Sequence, residues 1–336
     1  MRGVTALGYK NSRRLALSAA AISAHWIGED ALFALGDGAV HVASREGEPR
    51  RIVVHSGAIL SAALHPDGER LITGGDDGLV CYVAPNGAVE VLAHLRKWVD
   101  HVVASDASGI IAAAVGKQAI VFRNGVEAHR FAYPSSIGGL ALDAKGRRLA
   151  ASHYGGATLR YALTAGDKGM ALPWSGSHLA VAISPDADYI VTAMQENALH
   201  GWRLPDKIDL RMDGYPAKTR SFSWDRRGRW LATSGADSAI VWPFVGKLGP
   251  QGKPPLQLGP REALVTAVAF HPSEEVLAIG YSDGAATLAR LSDLSVLDLV
   301  AQGDGPVSAL AWRGDGKWIA IGDEAGRGSI VSFVQD

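Results

Sequence analysis

The chain has one cysteine, Cys81, among 336 residues, so no intrachain disulfide can form and cysteine-rich zinc or iron–sulfur sites are excluded. Cys81 sits in the apolar run Leu79-Val80-Cys81-Tyr82-Val83, where a buried, inert thiol is expected. Nowhere does an apolar run reach the roughly eighteen residues a membrane-spanning helix needs, so a soluble, cytoplasmic protein is expected. An excess of one charge is missing too: 33 Lys+Arg face 34 Asp+Glu. Without a global field to gather nucleic acid or anionic membrane, electrostatic recognition must come from local patches. Amphipathic helices of ten or more residues are also lacking, which excludes a βαβ fold. One stretch, Arg13-Arg14 followed by LALSAAAISA, has the charge and small-residue pattern of an export signal, and export is the alternative localisation.

What the chain does have is apolar residues and turns: 47% hydrophobic residues, 40 Gly and 15 Pro. Short Val/Ile/Leu-rich runs are broken every few residues by Gly, Asp or Pro, the pattern of an all-β fold. His55 to Ala84 shows the unit most clearly. A strand (Ile59 to Leu64) leads through Pro66-Asp67-Gly68 to a second (Arg70 to Thr73), and the Asp77-Gly78 turn leads to a third (Leu79 to Val83). An Asp-Gly step between β-prone runs is a hairpin signal, because the turn needs a left-handed backbone.

The unit recurs with marks at Ile22, Ile59, Asp100, Gly139, Ala180, Ser221, Val265 and Val307, a period of about forty residues that fits a four-stranded blade. Residues 1–336 are therefore expected to form one domain, an eight-bladed β-propeller, with a seven-bladed form as the alternative. Fourth strands are expected at Arg51 to Val54, Ala88 to Val91, Glu127 to Phe131, Ile208 to Arg211 and Val296 to Leu299, and more weakly near 167–172 and 256–258. The last repeat ends at Phe333-Val334 without an outer strand. Arg14 to Ser18 are the expected donor, since an unpaired edge is a template for aggregation.

His55 to Ala84 resembles a WD40 repeat. That family's pattern is an approach-loop His, an S-P-D-G-like turn, a Ser/Thr on the second strand, an Asp in the next turn and a Trp on the third strand. His55, Thr73 and Asp77 match, with Val83 at the Trp position. Trp202 matches in the fifth repeat, where Glu196 replaces the Asp, and the sixth keeps Thr233, Asp237 and Trp242. Because most repeats depart from the pattern, the family's buried His–Ser/Thr–Asp–Trp network is expected to be largely absent. The resemblance implies a protein-interaction scaffold without catalysis, cofactor or metal; a propeller-type hydrolase or lactonase with a central site is the alternative.

Several constellations read as structure. Gly280-Tyr281-Ser282-Asp283-Gly284 has the GxSxG spacing of a nucleophile elbow but occupies a hairpin turn instead of a strand-to-helix turn. Asp37, Asp77, Asp237 and Asp283 share that turn position and are expected to hold backbone N–H groups. His65 and His271 each precede a Pro and are expected to be exposed.

Binding residues are expected in the approaches to the first strands, which the repeat places on one rim. These are Arg96, Lys97 and Trp98 with His101, then Tyr133, then Trp174 with His178, then Tyr215 with Lys218 and Arg220, and Arg261. Aromatics beside cations dominate interface hot spots. The expected partner is an acidic or phosphorylated segment of another protein, with nucleic acid the weaker reading. The opposing expectation is that these aromatics pack between blades.

Overall fold

The computed structural model describes residues 11–44, 47–246 and 248–333. Val334, the expected end of the last repeat, lies outside them. No helix is long and apolar enough to cross a membrane among these residues, and in every sheet but the last the strands follow one another in chain order.

Sheet one joins Ala21–Ile27, Asp30–Leu35, Ala39–Ala43 and Arg50–Val53, and sheet two joins Ile59–Leu64, Leu71–Gly75, Leu79–Val83 and Val89–His94. Sheet three is His101–Ser105, Ile110–Val115, Gln118–Arg123 and Val126–Ala132. Sheet four has six strands, Gly139–Leu142, Arg148–Tyr161, Met170–Ile183, Tyr189–Met194, Leu199–Arg203 and Ile208–Met212. Sheet five is Phe222–Trp224, Trp230–Thr233, Ala239–Pro243 and Leu256–Leu258, and sheet six is Val265–Phe270, Val276–Tyr281, Ala286–Arg290 and Val296–Val300. Sheet seven runs Val307–Trp312, Trp318–Asp323, Arg327–Ser332 and then Asn11–Ala16.

The expectation of eight separate sheets is corrected: the described residues form seven, the number of the alternative reading. Hydrogen bonding runs on from the fourth repeat into the fifth, so both share one sheet. Of the 14-residue strand Met170–Ile183, residues 170–173 pair back onto 156–159 while His178 to Ile183 pair forward onto Ile190 to Met194. A further pair, Tyr154 with Ser177, ties the two halves together. The marks Gly139 and Ala180 both fall inside this sheet, which is why the period alone counts one more.

The expected fourth strands are all present, including the weak ones at Leu256–Leu258 and within Met170–Ile183. The expected donation to the last sheet is also present, slightly earlier than Arg14 to Ser18. Asn11 pairs with Ser332 and Ala16 with Arg327, and Leu17 N continues the contact to Gly326 O at 2.8 Å. The residues that resemble an export signal therefore form strand in the folded chain.

The described residues fall into two compact units, one drawn from 11–35, 41–50 and 215–333, the other from 36–40 and 51–214. Within each, neighbouring sheets pack face to face through alternating side chains, as the period-2 geometry of a strand requires. Ile110, Ala112 and Ala114 enter one cluster with Leu140, Leu149 and Ala151, while Ile111, Ala113 and Val115 enter another with Ile72 and Val80. All three alanines are fully buried, so a larger side chain there would force the sheets apart.

Inner-strand hydroxyls stitch adjacent sheets together. Ser221 Oγ accepts from Val268 N at 3.0 Å and Ser223 Oγ from Phe270 N at 2.8 Å. Thr266 Oγ1 donates to Val307 O and Ser308 Oγ to Ala21 O, both at 2.6 Å. In the other unit, Ser61 Oγ accepts from Val102 N at 3.1 Å. Indoles do the same further along, Trp26 Nε1 donating to Ala311 O and Trp312 Nε1 to Ala269 O.

Candidate functional site

An antiparallel meander puts the approach to each first strand and the turn between second and third strands at the same end of the sheet. Bonds between them hold that rim: Val99 N to Gly75 O, Ile137 N to Gly116 O and Gln195 N to Ser177 O, at 2.8 to 3.0 Å. Three of the four turn aspartates hold backbone N–H groups as expected, whereas the carboxylate of Asp237 accepts from Ser238 Oγ at 3.3 Å. Asp77 Oδ1 accepts from Leu79 N at 3.1 Å, Asp37 from Ala39 N at 3.2 Å and Asp283 from Ala285 N at 3.1 Å. Gly284, at φ +80°, closes the GxSxG segment as a hairpin turn.

The buried polar network, expected to be largely absent, survives in part in three places. His55 Nδ1 donates to Asp77 Oδ1 and Nε2 lies on Thr73 Oγ1, both at 2.9 Å. His178 Nδ1 lies 2.7 Å from Thr192 Oγ1, with Nε2 on Trp174 O. Tyr215 stands where these sheets have histidine: its hydroxyl is 2.7 Å from Thr233 Oγ1 and accepts from Trp242 Nε1 at 2.6 Å. Burial pushes the Tyr215 hydroxyl up to about 12, against its hydrogen bonds.

These partners divide the sequence-predicted residues. His178 and Tyr215 are buried in the network, and Tyr133 is buried beneath the Arg160 guanidinium, 5.3 Å from its ring centroid. They support the packing expectation and offer a partner nothing. Arg261 lies 5.1 Å over the Tyr281 ring with Asp283 and Asp298 at 3.5 and 3.6 Å. His101 is partly covered, and burial holds its imidazole below the ordinary range. Lys218 and Arg220 are exposed beside Tyr215.

Arg96, Lys97 and Trp98 are brought together. They line an open cleft of about 440 Å³ with Asp76, Asp77, Asp100 and Gly116. Trp98 is 64% exposed, and among the described residues no ion pair joins Arg96 or Lys97 to the cleft's carboxylates. Asp77 is already engaged by His55, Leu79 N and Ser56 N. Trp174 belongs to a second cleft, of about 320 Å³, with Glu196, His200 and Arg211. Between the two in chain order, Tyr154 stands 69% exposed within the strand Arg148–Tyr161, at the register shift before Gly156, its N–H donating to Ser135 Oγ at 2.9 Å. Sequence reasoning missed Tyr154, His200 and Arg211. Tyr154 was readable from the Gly155-Gly156 pair that interrupts the β-prone run after it, whereas His200 and Arg211 come together only through the pairing of their strands.

His271 corrects the expectation of exposure. It is buried, its Nε2 3.0 Å from Gly316 O and its ring edge-on to Trp312 at 4.7 Å. His65 is partly covered by Tyr82, edge to face at 4.8 Å. Cys81 is buried, which pushes its thiol up to about 11.

Comparison with known proteins gives the following. Residues 47–82 match the family "WD domain, G-beta repeat", and residues 268–335 match the "Anaphase-promoting complex subunit 4 WD40 domain". A Saccharomyces cerevisiae protein, periodic tryptophan protein 2, is 33% identical over 61 residues, which is 18% of this chain and 7% of that protein's length. The crystal structure of the computationally designed Ika8 protein superposes over 94% of this chain and 98% of that one, with a TM-score of 0.79 at 14% identity. That likeness concerns the fold alone. WD40 propellers are typical protein-interaction scaffolds and are generally not enzymes. The matched repeats, the His–Thr–Asp contacts and the sheet order together support a WD40-repeat β-propeller.

Proposed function

We propose that this protein is a non-catalytic interaction scaffold that receives a segment of a partner protein on the rim carrying Trp98 and Tyr154. The observation that carries this reading is the exposed Trp98 lining its cleft beside Arg96 and Lys97, two cations that make no ion pair among the described residues. Trp and Arg provide rigid contact area and charge-assisted hydrogen bonds, and they are enriched where binding energy concentrates. An acidic or phosphorylated group would meet Arg96 and Lys97, while the neighbouring position of the same segment would face Asp76 and Asp100. The rim therefore favours a segment of mixed charge over a uniformly acidic one.

The test is affinity capture with the wild-type chain, a Trp98→Ala/Tyr154→Ala variant and an Arg96→Glu/Lys97→Glu variant. Both aromatic side chains are largely exposed, so folding and melting temperature should not change. A shared loss of the same captured proteins from both variants supports the reading; an undiminished set from folded variants overturns it.

A further inference from the structure

The fifth repeat departs from the WD40 pattern at one position, Glu196 in place of the turn Asp. An Asp there, as Asp77 shows, is consumed by its histidine and by backbone N–H groups. In this repeat His178 is satisfied instead by Thr192 Oγ1 and Trp174 O. Glu196 is exposed, and among the described residues its carboxylate makes no hydrogen bond or ion pair. It lies over Gly176, where a methyl group would come within 3.1 Å of Glu196 Oε2 and 2.8 Å of Met194 Cε. Gly176, at φ +122°, thus leaves room for the carboxylate in the cleft.

The same cleft is also lined by an aromatic platform. The Trp174 ring stacks on His200 at 3.8 Å and 16°. His200 is fully buried, held by Asp209 at 3.1 Å and edge-on to Trp202 at 4.6 Å. Burial holds its imidazole below the ordinary range, so the support under the indole is neutral. Arg211 also lines the cleft, but its guanidinium is paired with Asp213 at 3.1 Å. An anion entering here would meet a free carboxylate and a cation already engaged; a cation would meet a free carboxylate and an indole.

We propose that the cleft between Trp174 and Glu196 is a subsite for a cationic side chain, a lysine ammonium or an arginine guanidinium, of the partner protein. It rests on the reading that partners are received on this rim, and it assigns the chemistry of one contact there. Carboxylate and indole act together on the same charge, the ring through its quadrupole.

The probe is N-acetyl-lysine methylamide, with the uncharged N-acetyl-norleucine methylamide as comparison. Binding is read from the fluorine resonances of protein labelled with 5-fluorotryptophan, the Trp174 signal being assigned by Trp174→Phe. A saturable shift of the Trp174 resonance with the lysine compound and none with norleucine is expected, and Glu196→Gln should weaken binding by about fivefold, the size of one exposed charge contact. No saturable Trp174 response, an equal response to norleucine, or undiminished affinity in the folded Glu196→Gln protein overturns the subsite. The Trp98→Ala/Tyr154→Ala variant should bind the probe like wild type. Failure of the titration beside loss of captured partners in that variant removes the subsite and leaves the rim reading standing; the reverse removes the rim reading.

Discussion

Removing the apolar anchors of the first strand should cost more than any other change to the first twenty residues. Leu15 and Leu17 are 6% and 8% exposed and pack with Phe33, Ala309, Ala320 and Ile330. Each truncation to Ala in such a core costs about 2–5 kcal/mol through lost burial and the cavity left behind. Both sit at the end of a sheet, where the site can collapse, so the lower half of that range applies: about 2–3 kcal/mol each. The two side chains lie against the same residue, Gly328, so their effects should couple and the pair should fall short of the sum. We expect about 4–5 kcal/mol for Leu15→Ala/Leu17→Ala and within about 0.5 kcal/mol for the exposed Ala16→Ser. Urea unfolding followed by tryptophan fluorescence is the assay, because Trp26 and Trp318 report from the same cluster. A double variant that unfolds at the wild-type midpoint would refute the claim that this strand is an energetic part of sheet seven.

Three further outcomes are expected. Burial depresses the His25 imidazole to about 4; the unfolded chain takes up a proton below about 6.5 that the fold refuses, so stability should fall between pH 6.5 and 4, and an NMR midpoint for His25 at 6 or above would contradict this. Burial pushes the Asp67 carboxyl up, but hydrogen bonds from Glu69 N, Arg70 and His65 outweigh it and hold it at about 2. Its contribution is complete above about pH 4 and lost towards pH 2, so Asp67→Asn should flatten the acid limb of a pH–stability curve, and an unchanged slope would count against the network. Tyr215→Phe strands Trp242 Nε1 without an acceptor, which should cost about 1–3 kcal/mol in the same urea assay, while Tyr215→His should keep the contact to Thr233 and lose less.

Strands and turns were legible because they follow local rules: β-prone runs of period two, and Asp-Gly or Pro-Asp-Gly steps that allow a left-handed backbone. The donation of the first strand was legible from arithmetic, since the last repeat lacked a fourth run. The sheet count was not. Whether Met170–Ile183 breaks or bends between two repeats depends on hydrogen bonds made to partners on both sides, and the period of the sequence is the same either way. Hydrogen-bond networks were hidden for a similar reason: nothing local says that Tyr215 will take a histidine's place beside Thr233. Of the rim residues, Trp98 and Tyr133 look alike in sequence, an aromatic beside a cation or a proline. Only packing separates them, Arg160 covering one and open solvent meeting the other.

Sheet seven joins two segments that are made far apart in time. Leu17 must wait for Gly326 and Gly328, more than 300 residues downstream, which at 5–20 residues per second is a delay of about 15–60 s on the ribosome. Throughout that interval the nascent chain carries a leucine-bearing strand with nothing to pair with. Vectorial synthesis thus makes this segment a natural target of chaperones until its partner strand has been made.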